Sequence, residues 1–354
     1  MMVLRVYDVQ SFEWETVNVH MDEFFLSKNT LETIHIWTLM LNYQHHVNFS
    51  IIYSNRCFKM ETVNRTSQML VLSSGGQRAP YMEGFLQRVR YKEWDYVFGI
   101  SAGAMLGAFV VQATQDKFAT GFKKLMENHI DIVKPHNRLG GIFNFASAFL
   151  WHDSIYKPCL KTMIETMWKN ECEHKNLSVG AYCVTDGKYT TFLNPKIEMI
   201  VASASIPVVF PSVTIDKKEY VDGALAHVFP IEEIKKEYKG GDLYVMLCYP
   251  TNHDTYKKCM GTNKHNLLGR VYNTLNESTW TNMNRDLDDL ADFLGLDNMK
   301  VRTSGKFKIP NKGTLFMFIP TEECYIDLSC KNYHKIATMQ THGFDVASGV
   351  MGGV

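Results

Sequence analysis

One serine of the chain stands in a sequence that suits a nucleophile. Ser101 lies within Gly99-Ile100-Ser101-Ala102-Gly103, which has the form G-x-S-x-G. The apolar, strand-like run 96–98 precedes it, and a helix-like run of small residues begins at Ala104. A sharp turn from strand to helix presents a serine hydroxyl above the sheet, and glycines flank such a serine because side chains would collide there. The pattern also fits a serine that only caps the start of a helix. The rest of the sequence is therefore needed to distinguish a catalytic serine from a capping one.

An aspartate further along the chain can supply the base that such a serine needs. A serine hydroxyl is a weak nucleophile at neutral pH unless another group takes its proton. Asp222 follows the strand-like run 219–221 and precedes Gly223 and Ala224, a layout that presents a carboxylate at a tight turn. An aspartate within hydrogen-bond reach can accept the proton directly. We therefore predict a Ser101–Asp222 dyad, the alternative being a histidine base drawn from His253, His265, His334 and His342.

A glycine-rich turn offers the third part of an acyl-transfer site. The apolar run Met69–Leu72 is followed by Ser73-Ser74-Gly75-Gly76-Gln77-Arg78 and then by a helix-like segment with Pro80 in its first turn. Such a turn directs backbone N–H groups at open space above a sheet. The lysine and hydroxyl of a P-loop and the third glycine of a dinucleotide motif are missing, which disfavours nucleotide binding. We predict that the N–H groups of Gly75, Gly76 and Gln77 hold an oxyanion.

Short, continuous apolar runs predict the strands that carry these groups. Such runs are typical of strands buried on both faces of a parallel sheet. The turn after Leu72 and the turn at Ser101 would then meet at one sheet edge, where open α/β sheets place their sites. Asp186-Gly187 predicts a hairpin turn. The predicted strands are Met69–Leu72, 96–98, Leu177–Val184, Tyr189–Leu193, Leu243–Cys248 and Leu315–Ile319.

Helical periodicity predicts several helices around these strands. They are Thr30–Leu41, Tyr81–Arg90, Phe118–Asn128, Tyr156–Trp168, Ile197–Ser203, Asn284–Leu294 and residues 334–350. Leu287, Leu290 and Leu294 share the apolar face of the sixth of these, so its aspartates, Asp286, Asp288, Asp289 and Asp292, are expected on a solvated face. The aromatic run Arg138–Trp151 either packs on the core or forms a flap over an acyl-chain groove.

Composition restricts the classes of function. Lys+Arg and Asp+Glu are both 37, a balance that argues against a broad nucleic-acid surface. The eight cysteines form no C-x-x-C pair and are interpreted as reduced thiols of a cytoplasmic protein. The longest apolar run, Val97–Val111, is shorter than the roughly 20 residues needed to span a bilayer. We expect transient contact with a membrane surface at most.

Four stretches together resemble the patatin-like phospholipases. They are the Gly75–Arg78 turn, the Gly99–Gly103 elbow, residues 202–211 and Asp222-Gly223-Ala224, within a likeness that runs from about residue 67 to about residue 348. Three positions depart from the family pattern. Ser74 stands where the first of three glycines is common, Ala79 replaces a glycine, and an asparagine common after the aspartate is absent. His227 lies in that last region, as a structural substitute or as an auxiliary base.

The resemblance implies an α/β fold, a three-layer α/β/α sandwich with a mostly parallel central sheet, over residues 67–350. Residues 1–66 are expected to be an extension packed on this core. By the same resemblance, Ser101 is the nucleophile, Asp222 the base, and Gly75 and Gly76 the oxyanion-hole glycines, with Arg78 as the basic residue that follows them. The implied activity is lipid acyl hydrolysis of the phospholipase A or lysophospholipase type, which requires no metal or cofactor. Acyl transfer, triacylglycerol hydrolysis and non-catalytic lipid binding remain the alternatives.

Overall fold

Two units divide the chain in the computed structural model, Met1–Thr66 and Ser67–Val354. The structure describes residues 2–8, 13–19, 50–53, 56–59, 61–62, 66–89, 92–112, 176–207, 210–259, 267–321 and 333–352. Three of the predicted helices (Thr30–Leu41, Phe118–Asn128 and Tyr156–Trp168) lie outside these residues, as does the aromatic run Arg138–Trp151.

The described part of the smaller unit consists of strands. A three-stranded antiparallel sheet has the order β2-β1-β5, and β3 pairs with β4 as a separate antiparallel hairpin. The strands are β1 (Met2–Asp8), β2 (Glu13–Val19), β3 (Ser50–Tyr53), β4 (Arg56–Lys59) and β5 (Glu61–Thr62). That residues 1–66 pack on the core stays a prediction.

A mixed sheet forms the centre of the larger unit, in the order β10-β11-β8-β7-β6-β12-β14-β13 with β9 on β8. Its strands are β6 (Gln68–Leu72), β7 (Tyr96–Ile100), β8 (Leu177–Cys183), β9 (Lys188–Leu193), β10 (Val213–Ile215), β11 (Lys218–Asp222), β12 (Gly241–Met246), β13 (Gly305–Ile309) and β14 (Gly313–Phe318). The five central strands, β8, β7, β6, β12 and β14, are parallel, and the outer ones pair antiparallel. The predicted α/β class with a mostly parallel central sheet is confirmed.

Burial explains why the apolar runs form the central strands. Leu70, Val71, Leu72, Val97 and Phe98 are fully buried, as expected for strands covered on both faces. The helices of the described residues flank the sheet. They are α1 (Ala79–Val89), α2 (Ala102–Gln112), α3 (Ile197–Ser203), α4 (Ile231–Glu237), α5 (His253–Cys259), α6 (Leu267–Leu294), α7 (Asn298–Val301) and α8 (Tyr333–Met351).

Two consequences of this arrangement bear on the predicted site. β6 and β7 are parallel neighbours with Leu72 opposite Gly99, so the turns that follow them lie at one edge of the sheet. β11 lies antiparallel to β8 with Asp222 opposite Ala181, and β8 is itself the neighbour of β7. Ser101, the glycine turn and Asp222 therefore meet at the carboxyl edge of the parallel strands. Among the described residues, no helix is long and apolar enough to cross a membrane.

Candidate active site

The turn at Ser101 is strained. Ser101 follows β7 directly and has a φ of 57°, in the left-handed region that residues with a Cβ rarely adopt. Its carbonyl oxygen accepts hydrogen bonds from the N–H groups of Ala104 (3.0 Å) and Met105 (3.2 Å), so Ser101 is the residue directly before the first turn of α2. Backbone strain of this kind persists only where the surroundings hold it, and it concentrates at functional sites.

The glycines on either side of Ser101 are required by close backbone contacts. A Cβ on Gly99 would lie 2.4 Å from the carbonyl oxygen of Gly103. A Cβ on Gly103 would lie 2.2 Å from the carbonyl oxygen of Leu72, at the end of β6. Real Cβ atoms do not approach backbone oxygens so closely, so both positions need glycine for the first turn of α2 to pack on the strand ends.

The end of α3 joins the two halves of the site. The Ser101 N–H donates to Ser203 Oγ (3.0 Å), and that hydroxyl donates to the carbonyl oxygen of Gly180 (2.6 Å). Two residues later, the carbonyl oxygen of Ser205 accepts the Asp222 N–H (2.9 Å). Ser203 and Ser205 lie in the stretch 202–211, which resembles the patatin-like phospholipases, but the sequence predicted no role for either serine. The small residues of this stretch were the only sign that it packs closely.

Asp222 ends β11 and caps the short 3-10 turn Gly223–Leu225. Its Oδ1 accepts the N–H of Ala224 at 2.8 Å. A Cβ on Gly223 would lie 2.5 Å from the carbonyl oxygen of Gly180, so this turn packs directly on β8. In this Asp-Gly-Ala sequence, Asp222 supplies the carboxylate and Gly223 lets the turn pack closely on β8. The N–H of Ala224 orients the carboxylate.

Burial decides the electrostatics of Asp222. The side chain is 2% exposed and Ser101 is 3% exposed. Loss of water raises the pKa of Asp222 to about 7, although the Ser101 hydroxyl and the Ala224 N–H both lower it. Within the described residues Ala224 binds Oδ1, and Oδ2 has no hydrogen-bond partner, while the Ser101 hydroxyl is near enough to lower the pKa of the carboxyl group. Catalytic contacts are commonly loose before substrate binds, and a pKa near neutrality suits a general base.

The glycine turn lies beside this pair. The N–H groups of Ser73 and Ser74 donate to the carbonyl oxygens of Met246 (3.0 Å) and Val228 (2.8 Å). The Arg78 N–H closes the turn on the carbonyl oxygen of Gly75 at 2.9 Å. Because these N–H groups are engaged, the candidate oxyanion donors are those of Gly75, Gly76 and Gln77. Gly76 has a φ of 51°, which explains a glycine at this position.

Residues that follow β12 support the glycine turn from behind. The Cys248 N–H donates to Ser73 Oγ at 3.0 Å, and a Cβ on Gly75 would lie 2.7 Å from Cys248 Sγ. The Arg78 guanidinium carbon stands 4.9 Å from the centre of the Tyr249 ring, a cation–π distance. Burial raises the pKa of Tyr249 to about 12. The sequence did not predict this supporting role for Cys248 and Tyr249, because they stand only at the end of an apolar strand-like run.

His227 is bound by α6. Its Nδ1 lies 2.8 Å from Asp286 Oδ1, and Asp286 Oδ2 accepts the Val228 N–H at 2.6 Å. These contacts give His227 a structural role, because they join the Asp222 loop to α6. The expectation that Asp286 lies on a solvated face is wrong: it is fully buried, because both of its oxygens have partners from the Asp222 loop. Asp288 and Asp292 are exposed, as expected.

The other candidate histidines have different neighbours. The His253 ring packs against Trp280, with 5.1 Å between ring centres. His342 Nε2 accepts the N–H of Thr321 at 3.2 Å. His265 and the side chain of His334 lie outside the described residues. The Ser101 hydroxyl is instead near Asp222, whose pKa it lowers.

One protein family matches the part of the chain that contains the candidate site. Residues 70–235 match the family model described as Patatin-like phospholipase, a span that contains Ser101, Asp222 and the glycine turn. This part of the chain is therefore similar to the patatin-like phospholipases, as its motifs predicted, and the match supports lipid acyl hydrolase activity in general.

Individual relatives add little to the family match. No curated protein matches the chain. Among solved structures, the chain is similar to VipD from Legionella pneumophila, at 12% identity and a TM-score of 0.35, with 94% of this chain and 72% of VipD covered.

Proposed function

We propose that the protein is a phospholipase A-type or lysophospholipase acyl hydrolase that works through a Ser101–Asp222 dyad. The observation that carries the proposal is the contact between the strained, buried Ser101 and the buried Asp222 carboxylate, whose pKa is raised to about 7. This contact and a pKa near neutrality support Asp222 as the group that takes the serine proton.

The proposed reaction has two steps, acylation and deacylation. Ser101 Oγ attacks the ester carbonyl carbon as its proton passes to Asp222, and N–H groups of the Gly75–Gln77 turn bind the oxyanion. When this intermediate collapses, the carbon–oxygen bond breaks and the alcohol or lysolipid leaves with the proton from Asp222. Water then attacks the acyl-enzyme and gives its proton to Asp222. As the bond from the acyl carbon to Ser101 Oγ breaks and the fatty acid departs, Asp222 returns this proton to Ser101 Oγ.

The raised pKa of Asp222 sets the pH dependence of this reaction. The base works only when ionised, so kcat/KM should rise with pH through about 7, the pKa that burial gives Asp222. Because the lipid is presented at a membrane surface, we expect the protein to act there as a peripheral, cytoplasmic enzyme.

Ester turnover by matched variants tests the proposal. Ser101→Ala and Asp222→Asn are compared with the wild-type protein on phospholipid, lysophospholipid and triacylglycerol vesicles, with products identified by mass spectrometry. Each variant should lose at least about 10³-fold in kcat, because nucleophile and base act as a unit. Full activity of Ser101→Ala would overturn the mechanism. Product esterified to an added alcohol would indicate acyl transfer, and vesicle binding without turnover would indicate a non-catalytic lipid-binding protein.

A further inference from the structure

One face of α6 holds the loop that follows Asp222. Asn282 Nδ2 donates to the carbonyl oxygens of Ala224 (3.3 Å) and Leu225 (2.9 Å). The Arg285 guanidinium donates to the carbonyl oxygen of Ala226. Asp286 accepts the N–H of Val228 and contacts His227. We call Asn282, Arg285 and Asp286 the loop clamp; together they bind every residue from Ala224 to Val228.

The positions of the clamp residues follow from helix geometry. Residues three and four apart project from the same side of a helix, so Asn282, Arg285 and Asp286 form one polar patch. Asn282 and Asp286 are 8% and 0% exposed, and a buried carboxylate is costly unless its oxygens are paired. Both oxygens of Asp286 are paired with the loop. α6 lies outside the matched residues 70–235, so the family motif does not include this support.

The clamp reaches the base through Ala224. The N–H of Ala224 donates to Asp222 Oδ1 at 2.8 Å, and the carbonyl oxygen of the same residue accepts from Asn282. Ala224 is therefore held from α6 while it orients the carboxylate. If Ala224 were released, its N–H could turn away, and Asp222 would lose its direction toward Ser101.

We propose that Asn282, Arg285 and Asp286 are positioning residues that fix the Asp222 carboxylate in its catalytic orientation. The inference rests on the proposed Ser101–Asp222 mechanism and adds a part to it. The clamp acts on the base through the loop backbone. Its loss should therefore lower kcat and leave KM for a small soluble ester unchanged, as expected for interactions that matter only in the transition state.

Hydrogen–deuterium exchange and kinetics on the full chain test the clamp together. Asn282→Ala should speed amide exchange across 222–228 and lower kcat about tenfold on a short-chain nitrophenyl ester, with KM changed by less than about twofold. Asp286→Asn keeps an oxygen for the Val228 N–H and should lose less kcat than Asp286→Ala. The control is Asp292→Ala, which removes an exposed carboxylate from the same helix and should change neither measurement.

Each possible result of these experiments either supports or overturns the loop clamp. Unchanged kcat in a folded Asn282→Ala protein, or an equal loss in Asp292→Ala, would overturn the clamp. If Asp286→Ala does not fold, Asn282→Ala and the solvent-exposed Arg285→Ala carry the test. If the wild-type protein hydrolyses no ester, the proposed function fails separately. Exchange then decides alone: faster exchange at 222–228 in Asn282→Ala supports the clamp, and unchanged exchange overturns it.

Discussion

The two halves of the candidate site are held in place by different means. Ser101 sits where backbone packs on backbone: the Gly99 and Gly103 contacts with the strand ends leave no room for a Cβ. Asp222 sits on a loop whose backbone groups are bound by side chains from α6. The nucleophile half depends mainly on two glycines, with one side-chain hydrogen bond from Ser203, whereas the base half depends on Gly223 and on several side chains of α6.

This difference explains which parts of the site can be recognised as sequence motifs. A position that admits only glycine forces a motif, so the elbow and the glycine turn are visible as short patterns. A hydrogen bond from a distant helix can come from several residue types at many spacings, so it produces no fixed sequence motif. Substitutions in each half test this difference.

The largest effect is expected in the nucleophile half, at Gly103. Gly103→Ala would place a Cβ 2.2 Å from the Leu72 carbonyl oxygen and 2.6 Å from that of Ser73. Neither backbone oxygen can move without displacing β6, so the free energy of unfolding should fall by about 3 kcal/mol or more. Urea unfolding measures the change.

Gly349→Ala is the matched control for Gly103. A Cβ there meets nothing within 4 Å, on helix α8. This variant should gain up to about 1 kcal/mol from helix propensity. Equal effects at the two glycines would contradict the backbone-contact account of the elbow.

A second effect of a few kcal/mol is expected from the burial of Asp222. Its pKa rises from 3.8 unfolded to about 7 folded, so the folded state binds the proton more tightly. The stability from this difference is fully present below about pH 4 and is lost as pH rises through about 7. At about pH 8, the free energy of unfolding of Asp222→Asn should therefore exceed that of the wild type by on the order of 2–4 kcal/mol. Urea unfolding measures this difference.

Glu233 separates this stability effect from the catalytic one. Its pKa is also raised to about 7 by burial, so Glu233→Gln should gain stability over the same pH range. It should keep esterase activity, whereas Asp222→Asn should lose it. A stability difference between Asp222→Asn and wild type that does not change from about pH 4 to about pH 8 would contradict the raised pKa.

The smallest of these effects concerns the serine that joins the two halves. Ser203→Ala leaves the Ser101 N–H and the Gly180 carbonyl oxygen without their shared partner, a loss of about 1–3 kcal/mol. Ser205→Ala removes only a bond to the carbonyl oxygen of Val201 one helical turn back and should cost less than about 1 kcal/mol. Thermal unfolding of both variants measures the difference, and a larger loss at Ser205 would contradict it.

Much of the fold could be predicted because its central strands are buried on both faces. Met69–Leu72 and Leu315–Ile319 are continuous apolar runs, and such runs have few other interpretations. Of the antiparallel outer strands, β9 and β11 were predicted, and β10 and β13 were missed. β13 alternates exposed Lys306 and Lys308 with less exposed residues, a weak signal in so short a segment. α6 was predicted to begin at Asn284 but begins at Leu267.

The site divides in the same way. Ser101 and Asp222 were predicted because each lies in a local motif, and the structure brings them together. Asp286 was misread because periodicity places it off the apolar face of α6, and only the fold shows that the Asp222 loop covers it. Ser203 was recognised as part of a motif, but its bond to the Ser101 N–H depends on the meeting of α3 and β7.

Fluorophosphonate labelling tests whether Asp222 activates Ser101 as the nucleophile. We expect one covalent adduct, on the peptide that contains Ser101, with a labelling rate that rises about tenfold between about pH 6 and about pH 8 as Asp222 ionises. Asp222→Asn should slow labelling by at least about 10²-fold. An adduct on another residue, or labelling of Ser101 at an undiminished rate in Asp222→Asn, would contradict this expectation.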